Sequence, residues 1–347
     1  MTLQPKESSM ALGSKSPYLR LALAGSILSG CAASGGLSGG GAPSGAQPAV
    51  SKTTQVATFG VLAKLTIHGT SSWISPDAGR HQKLVYVSDQ NVNAVEIYKA
   101  NVNNPTPIGQ ITGVSTPDGL GMDKRGNLYV SNAGGTTVTV YKPGHTSPFR
   151  TYSPGQNPVN VIVGSDDRVY IALGLEGCIC IVEYPPHSTT SDLTIQLGST
   201  HGSPMDLALD TSNNLYVTLT NGTVYEFAPG QTTGTNLGLA GLTNPRGIGF
   251  DRKGEIVVAN DTLNFVQGYI QIYKPGKTQY SKQFVAGPQP FQLTFGRAHQ
   301  FMYVANVSYG TSGYVAIFQA GHGWAQTGTI SQGLQQPLGV ALSPKAL

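Results

Sequence analysis

The chain has 347 residues, with 21 basic against 17 acidic side chains, a formal charge of +4 and charged residues at only 11%. That is too sparse for a coiled coil and too balanced for a nucleic-acid binder, while an apolar fraction of 39% is too high for a wholly disordered chain. The length accommodates two ordinary domains or one large all-β domain with a sizeable core.

At the N-terminus, Lys6, Lys15 and Arg20 precede the apolar run LALAGSIL at 21–28, which ends at Ser29, Gly30 and Cys31. A run this short cannot cross about 30 Å of hydrocarbon as a helix. A basic region, a short apolar stretch and small residues before a cleavage point are what an export signal requires. Residues 28–31, LSGC, resemble the lipobox of bacterial lipoproteins. The resemblance implies cleavage before Cys31, a diacylglyceryl group on its thiol, and a lipid-anchored, extracytoplasmic place in the bacterial cell envelope. Met10 is an alternative start that shortens the basic region and leaves this expectation unchanged. Residues 1–30 are therefore expected to be a signal peptide, and 31–52, rich in Gly, Ser, Ala and Pro, a flexible tether. Loss of 1–30 removes three basic residues and Glu7 and leaves about +2. No polybasic patch remains for DNA or RNA.

From residue 53 to 347 a single domain is expected, because one phrase recurs six times. It reads LVYVSD at 84–89, LYVSN at 128–132, VYIAL at 169–173, LYVTL at 215–219, IVVAN at 256–260 and MYVAN at 302–306. The aligned residues Tyr86, Tyr129, Tyr170, Tyr216, Val257 and Tyr303 are spaced by 43, 41, 46, 41 and 46. A second alternating run follows each phrase, such as TVTVYKPG at 137–144 or YIQIYKPG at 269–276, and it closes on turn-forming residues. A proline-led apolar stretch precedes most copies: PDGLGMD at 117–123, PVNVIVG at 158–164, PMDLALD at 204–210, PRGIGFD at 245–251 and PFQLTFG at 290–296, with PLGVALS at 337–343 left over. Outer runs such as PFRTYS at 148–153 and SKQFVA at 281–286 supply a fourth strand.

Four short strands every 40-odd residues is the period of a β-propeller blade. The predicted fold is all-β, a six-bladed β-propeller of four-stranded antiparallel blades. PLGVALS has no phrase after it, and the first phrase has no proline-led stretch before it, so the C-terminal strand is expected to complete the first blade and remove the open edge. A seven-bladed alternative draws its extra strands from 55–69 and opens the first counted blade with SSWISPD at 71–77.

The unit from Pro117 through Asp123, Gly126 through Asn132, and Val138 through Tyr141 resembles the NHL repeat, as do PRGIGFDRKGEIVVAN at 245–260 and YIQIY at 269–273. The resemblance spans about 84–343. It implies a propeller whose wider relatives include extracellular sensor domains, a lyase of hydroxyglycine peptides and the gluconolactonase group, which holds a divalent metal in the central channel. That group pairs its channel Asn and Asp with a first-blade Glu, and no glutamate occupies an equivalent opening phrase here.

Repeated residues read as architecture. Gly126, Gly144, Gly230, Gly254 and Gly276 suit turns of positive φ, and Asp123, Asp210 and Asp251 suit side-chain bonds to those turns. A site is expected where the copies differ. The two positions after each recurring proline begin the innermost strands and are expected to face the channel mouth. There Asp118, Asn160, Asp206 and Gln292 offer oxygens from four blades, with Arg246 beside them. Asp118, Asn160 and Asp206 are the candidate ligands for Ca²⁺ or another divalent metal, and Arg246 suits an anionic group on a ligand. The seven histidines are scattered without zinc-site spacing, although His201, just before Pro204, can reach the same mouth. Cys178 and Cys180 are expected as space-fillers between blades, since a bridge between them on a strand is strained. Trp73 and Trp324 are read as core or rim packing. Two functions follow as expectations: a membrane-tethered binding or scaffold module, monomeric, for a protein, peptide or glycan; or a metal-dependent lactone or ester hydrolase at the channel mouth.

Overall fold

Alternation with a period of two sends successive side chains of a strand to opposite faces, and in this chain both faces find a core. In the strand Leu84–Asp89, Leu84 and Tyr86 enter one buried cluster while Val85 and Val87 enter another. Leu128 and Val130 likewise separate from Tyr129. A sheet that is apolar on both faces must be sandwiched between neighbours, and repetition of that sandwich around an axis is a propeller.

The computed structural model describes residues 71–343 apart from 77, 79–82, 175, 176, 199, 200 and 309. The expected signal peptide at 1–30, the lipidation site Cys31, the tether at 31–52 and the run at 55–69 lie outside the described residues. Six antiparallel sheets surround the axis. From the inside outward, blade 2 consists of Pro117–Met122, Leu128–Asn132, Thr137–Tyr141 and Arg150–Tyr152, and blade 3 of Pro158–Val163, Val169–Leu173, Cys180–Tyr184 and Leu193–Gln196. Blades 4, 5 and 6 open with the innermost strands Pro204–Leu209, Asn244–Phe250 and Gln289–Phe295. Hydrophobic clusters fill the junction between each blade and the next, including the one that joins blade 6 to blade 1 through Tyr303, Ile317, Val87 and Val340.

The ring closes as the leftover stretch predicted. Pro337–Ser343 pairs antiparallel with Leu84–Asp89 as the innermost strand of blade 1. Asp89, fully buried, accepts hydrogen bonds from the backbone N–H groups of Gln335 and Gln336 and pins the returning chain. Seven blades are excluded, because 337–343 belongs to the first counted sheet. Residues 71–77 do not open that sheet either: Trp73–Ile74 adds a short fifth strand to its outer edge, against Gly109–Ile111. Trp73 is half-exposed there, and Trp324 meets Phe295 edge-on at a centroid distance of 6.0 Å.

The turns use the residues that the repeats offered. Gly126 has φ +80° and Gly254 +73°, a region that L side chains rarely adopt. Beside Gly126, Asp123 accepts from the backbone N–H groups of Arg125 and Asn127 and from the Asn127 amide; Asp210 repeats all three bonds with Ser212 and Asn214, and Asp251 the two backbone bonds with Lys253 and Glu255.

The two cysteines depart from expectation. Cys178 and Cys180 form a disulfide. Cys178 lies before the strand Cys180–Tyr184 rather than on it, just after the left-handed Gly177, and its N–H donates to Gln156 Oε1 at 2.6 Å. The resulting bend brings the two Cα atoms to 5.3 Å, inside the range for a bridge and shorter than the roughly 6.6 Å of two steps along an extended strand.

Candidate functional site: the channel mouth

Proline has no N–H for a ladder and so suits the first position of a strand. In all six innermost strands the register slips directly after it. Pro204 faces Leu219 but Asp206 faces Thr218, and Pro245 faces Asn260 but Gly247 faces Ala259; blades 1, 2, 3 and 6 show the same slip. Such a bulge leaves an extra residue out of the ladder and re-aims the side chains around it. The five expected site residues occupy or adjoin these bulges, so backbone irregularity gathers them at one end of the channel.

Three glycines allow the bulges to approach one another. A Cβ on Gly119 would stand 2.3 Å from Asn160 Nδ2, one on Gly247 2.3 Å from the Phe291 carbonyl oxygen, and one on Gly339 2.4 Å from the Asp118 carbonyl oxygen. The side chains thus come together across blades, but they do different things. Gln292 lies across the ring: its Oε1 accepts from the N–H of Val340 and of Leu120, each at 3.0 Å, and its amide Nε2 donates to Leu120 O at 2.9 Å. It thereby ties blade 6 to blades 1 and 2. Asp206, 1% exposed, accepts from Leu207 N–H at 2.9 Å through one oxygen and from Ile248 N–H at 2.8 Å through the other. Burial pushes its carboxyl up to about 8, against the pull of those two N–H groups; the charge of Asp118 raises it and the Asn160 side chain lowers it.

Asp118 is deep in the channel yet partly open to it, and its carboxylate accepts no hydrogen bond from the described residues. Burial raises its carboxyl to about 7, and the Arg246 charge opposes that shift. Arg246 is braced from two sides: its Nε donates to Asp261 Oδ2 at 3.1 Å, and its guanidinium lies 4.3 Å from the Phe291 ring centroid. Asn160 is 1% exposed and its Oδ1 has no hydrogen-bond partner among the described residues, a condition that a buried polar atom meets rarely.

Some participants escaped the sequence reading. Ser88 donates to Asp118 O and accepts from Gly339 N–H, and Asp261 fixes Arg246. They flank the last position of the recurring phrase, where Asp89, Asn132 and Asn260 bind the loop before the innermost strand. The recurrence of Ser, Asn or Asp there was the available signal. His201 packs edge-on against Tyr225 at 5.0 Å. Among the described residues no group of three or more His, Cys, Asp or Glu side chains is gathered as for a metal ion, and no helix is long and apolar enough to cross a membrane.

The fold is that of a six-bladed β-propeller, and solved structures of this shape agree. The chain is similar to a chain of a nidogen/laminin complex, with TM-score 0.61 and 14% identity over 76% of this chain and 100% of that one. A protein of unknown function from Bacteroides caccae gives TM-score 0.58 and 12% identity over 76% and 100%. Hydrazine synthase of Kuenenia stuttgartiensis gives TM-score 0.50 and 13% identity, with 62% of this chain spanning 66% of that one. At these identities the likeness concerns the fold. No protein-family model and no curated protein matches the sequence.

Proposed function

We propose that this propeller is a binding module of the bacterial cell envelope, NHL-like in its repeats, exported and held at the membrane by a lipid on Cys31. Its channel mouth takes a polar ligand of the glycan or peptide class. The observation that carries the reading is Asp118: a carboxylate inside the channel, open to it, facing Arg246, and without a hydrogen-bond donor among the described residues. A ligand O–H or N–H is the partner it lacks. Arg246, already aimed by Asp261 and Phe291, supplies a directed donor beside it.

The test is a glycan and peptide screen with the purified protein and its Asp118→Asn and Arg246→Ala variants. Saturable binding that falls about tenfold or more in both variants supports the mouth as the site. Binding that both variants retain, or turnover of a small ester or lactone without stable binding, overturns it.

Turnover would favour the second reading, a divalent-metal-dependent hydrolase at the same mouth. Its candidate ligands are Asp118, Asn160 and Asp206, and the observation in its favour is Asn160 Oδ1, unpartnered among the described residues. The donor set as arranged fits calcium poorly: both Asp206 oxygens already accept backbone N–H bonds, and the remaining oxygens fall short of the six to eight that calcium takes. A calcium titration that raises the melting temperature, reversed by chelator, would establish the metal.

A further inference from the structure

We propose that the cleft between blades 2 and 3, at the end of the propeller opposite the channel mouth, binds an organic phosphate through Lys142 and Arg150, with Phe149 against the apolar part of the ligand. The position follows from strand direction. The innermost strand of blade 2 starts at the mouth with Pro117 and ends at the turn 123–127, and the cleft is walled by that turn, by Lys142 to Arg150, and by Asp167 and His187 from turns of blade 3. Its volume of about 600 Å³ falls within the range of small-molecule sites.

The charges that face the cleft divide into committed and uncommitted groups. Asp123 is occupied by its own turn. Asp167 takes the Arg125 guanidinium in two parallel bonds of 3.1 and 3.0 Å and the Lys124 ammonium at 3.2 Å. Lys142 and Arg150 have no carboxylate partner among the described residues. Instead both approach one ring: Lys142 Nζ lies 5.3 Å and Arg150 Cζ 5.9 Å from the Phe149 centroid. Arg150 also donates to Tyr152 Oη at 3.4 Å, which helps to aim its fork.

Two cations drawn to one ring repel each other, and an anion shared between them offsets the repulsion. A phosphate group suits this pair, since a planar fork and a mobile ammonium both bind its oxygens. Phe149 is 44% exposed, which leaves ring surface for an apolar group carried by the same ligand. A soluble phosphate ester and a phospholipid headgroup share this chemistry.

The experiment uses the Cys31→Ser chain, so that no acyl group contributes. It is titrated with phenyl phosphate by calorimetry and floated with phosphatidylglycerol vesicles, phosphatidylcholine vesicles serving as the zwitterionic control. Saturable binding of either probe is expected, weakened about tenfold or more in the Lys142→Gln/Arg150→Gln protein. Lys124→Ala should change it less than about twofold, because Arg125 remains paired with Asp167. Phe149→Ala should weaken phenyl phosphate more than inorganic phosphate. Binding of phenyl phosphate alone identifies a soluble ligand, and binding of vesicles alone a lipid. Equal melting temperatures establish that the variants fold; if the double variant does not, each single substitution carries the same readout. No saturable binding of either probe at millimolar concentration, or binding unchanged by the substitutions, overturns the proposal.

Discussion

Gly247 shows how little room the channel leaves. Its missing Cβ would lie 2.3 Å from the Phe291 carbonyl oxygen and 3.1 Å from Ala259 Cβ. Gly247→Ala must therefore separate blades 5 and 6, and a loss of about 1–3 kcal/mol in denaturant unfolding is expected. Asp206 gives a prediction in pH. Its carboxyl is raised from an ordinary 3.8 to about 8, so above about pH 4 the folded protein still holds a proton that the unfolded chain has released. That contribution to stability is complete below about pH 4, declines as pH rises towards about 8, and is gone above it. Asp118, raised to about 7, adds in the same direction. Melting temperatures measured across this window should show Asp206→Asn losing less stability with rising pH than the parent. Equal slopes would contradict the assignment.

At the scale of the element, the informative feature is the closing strand. Pro337–Ser343 has no local partner; it is held by Leu84–Asp89, about 250 residues earlier, and by the Asp89 carboxylate over Gln335 and Gln336. Asp89→Ala leaves those N–H groups without an acceptor and is expected to cost about 1.5–3 kcal/mol in urea unfolding. Truncation after Gln336 goes further, because it exposes the edge of Leu84–Asp89; aggregation detected by light scattering is the expected outcome. The strands were legible in the sequence because alternation and turn residues are local properties, and Gly126 with Asp123 is a complete turn within five residues. The disulfide was not legible. Whether residues two apart can bridge depends on the backbone between them, and the bend at Gly177 is held by Gln156 from the loop before blade 3.

For the whole molecule, six similar sheets make a ring in which each blade is stabilised by two neighbours. The function proposed for that ring joins the channel mouth to an anchor on Cys31. Cys31→Ser should move the protein from the membrane fraction to the soluble extracytoplasmic fraction, and mass spectrometry of the parent's N-terminal peptide should find an acylated cysteine. Retention at the membrane after the substitution would remove the lipid from the account. The mouth was partly legible. Variation at the two positions after each proline pointed to Asp118, Asn160, Asp206, Arg246 and Gln292, but not to their separate duties. Gln292 bonds to Leu120, 172 residues away, and Asp206 to Ile248 of the next blade.

By itself, the sequence determined the strand, the turn and the number of repeats, since each depends on residues near one another along the chain. It also determined closure, because one innermost strand was left without a sheet. Only the tertiary structure decided which channel side chains brace the ring and which do not. It alone also drew Lys142 and Arg150 to Phe149 and walled their cleft with turns of blade 3. Those outcomes rest on which backbone N–H or carboxylate a neighbouring blade brings within hydrogen-bond reach, and that distance is set by packing around the axis rather than by any local pattern.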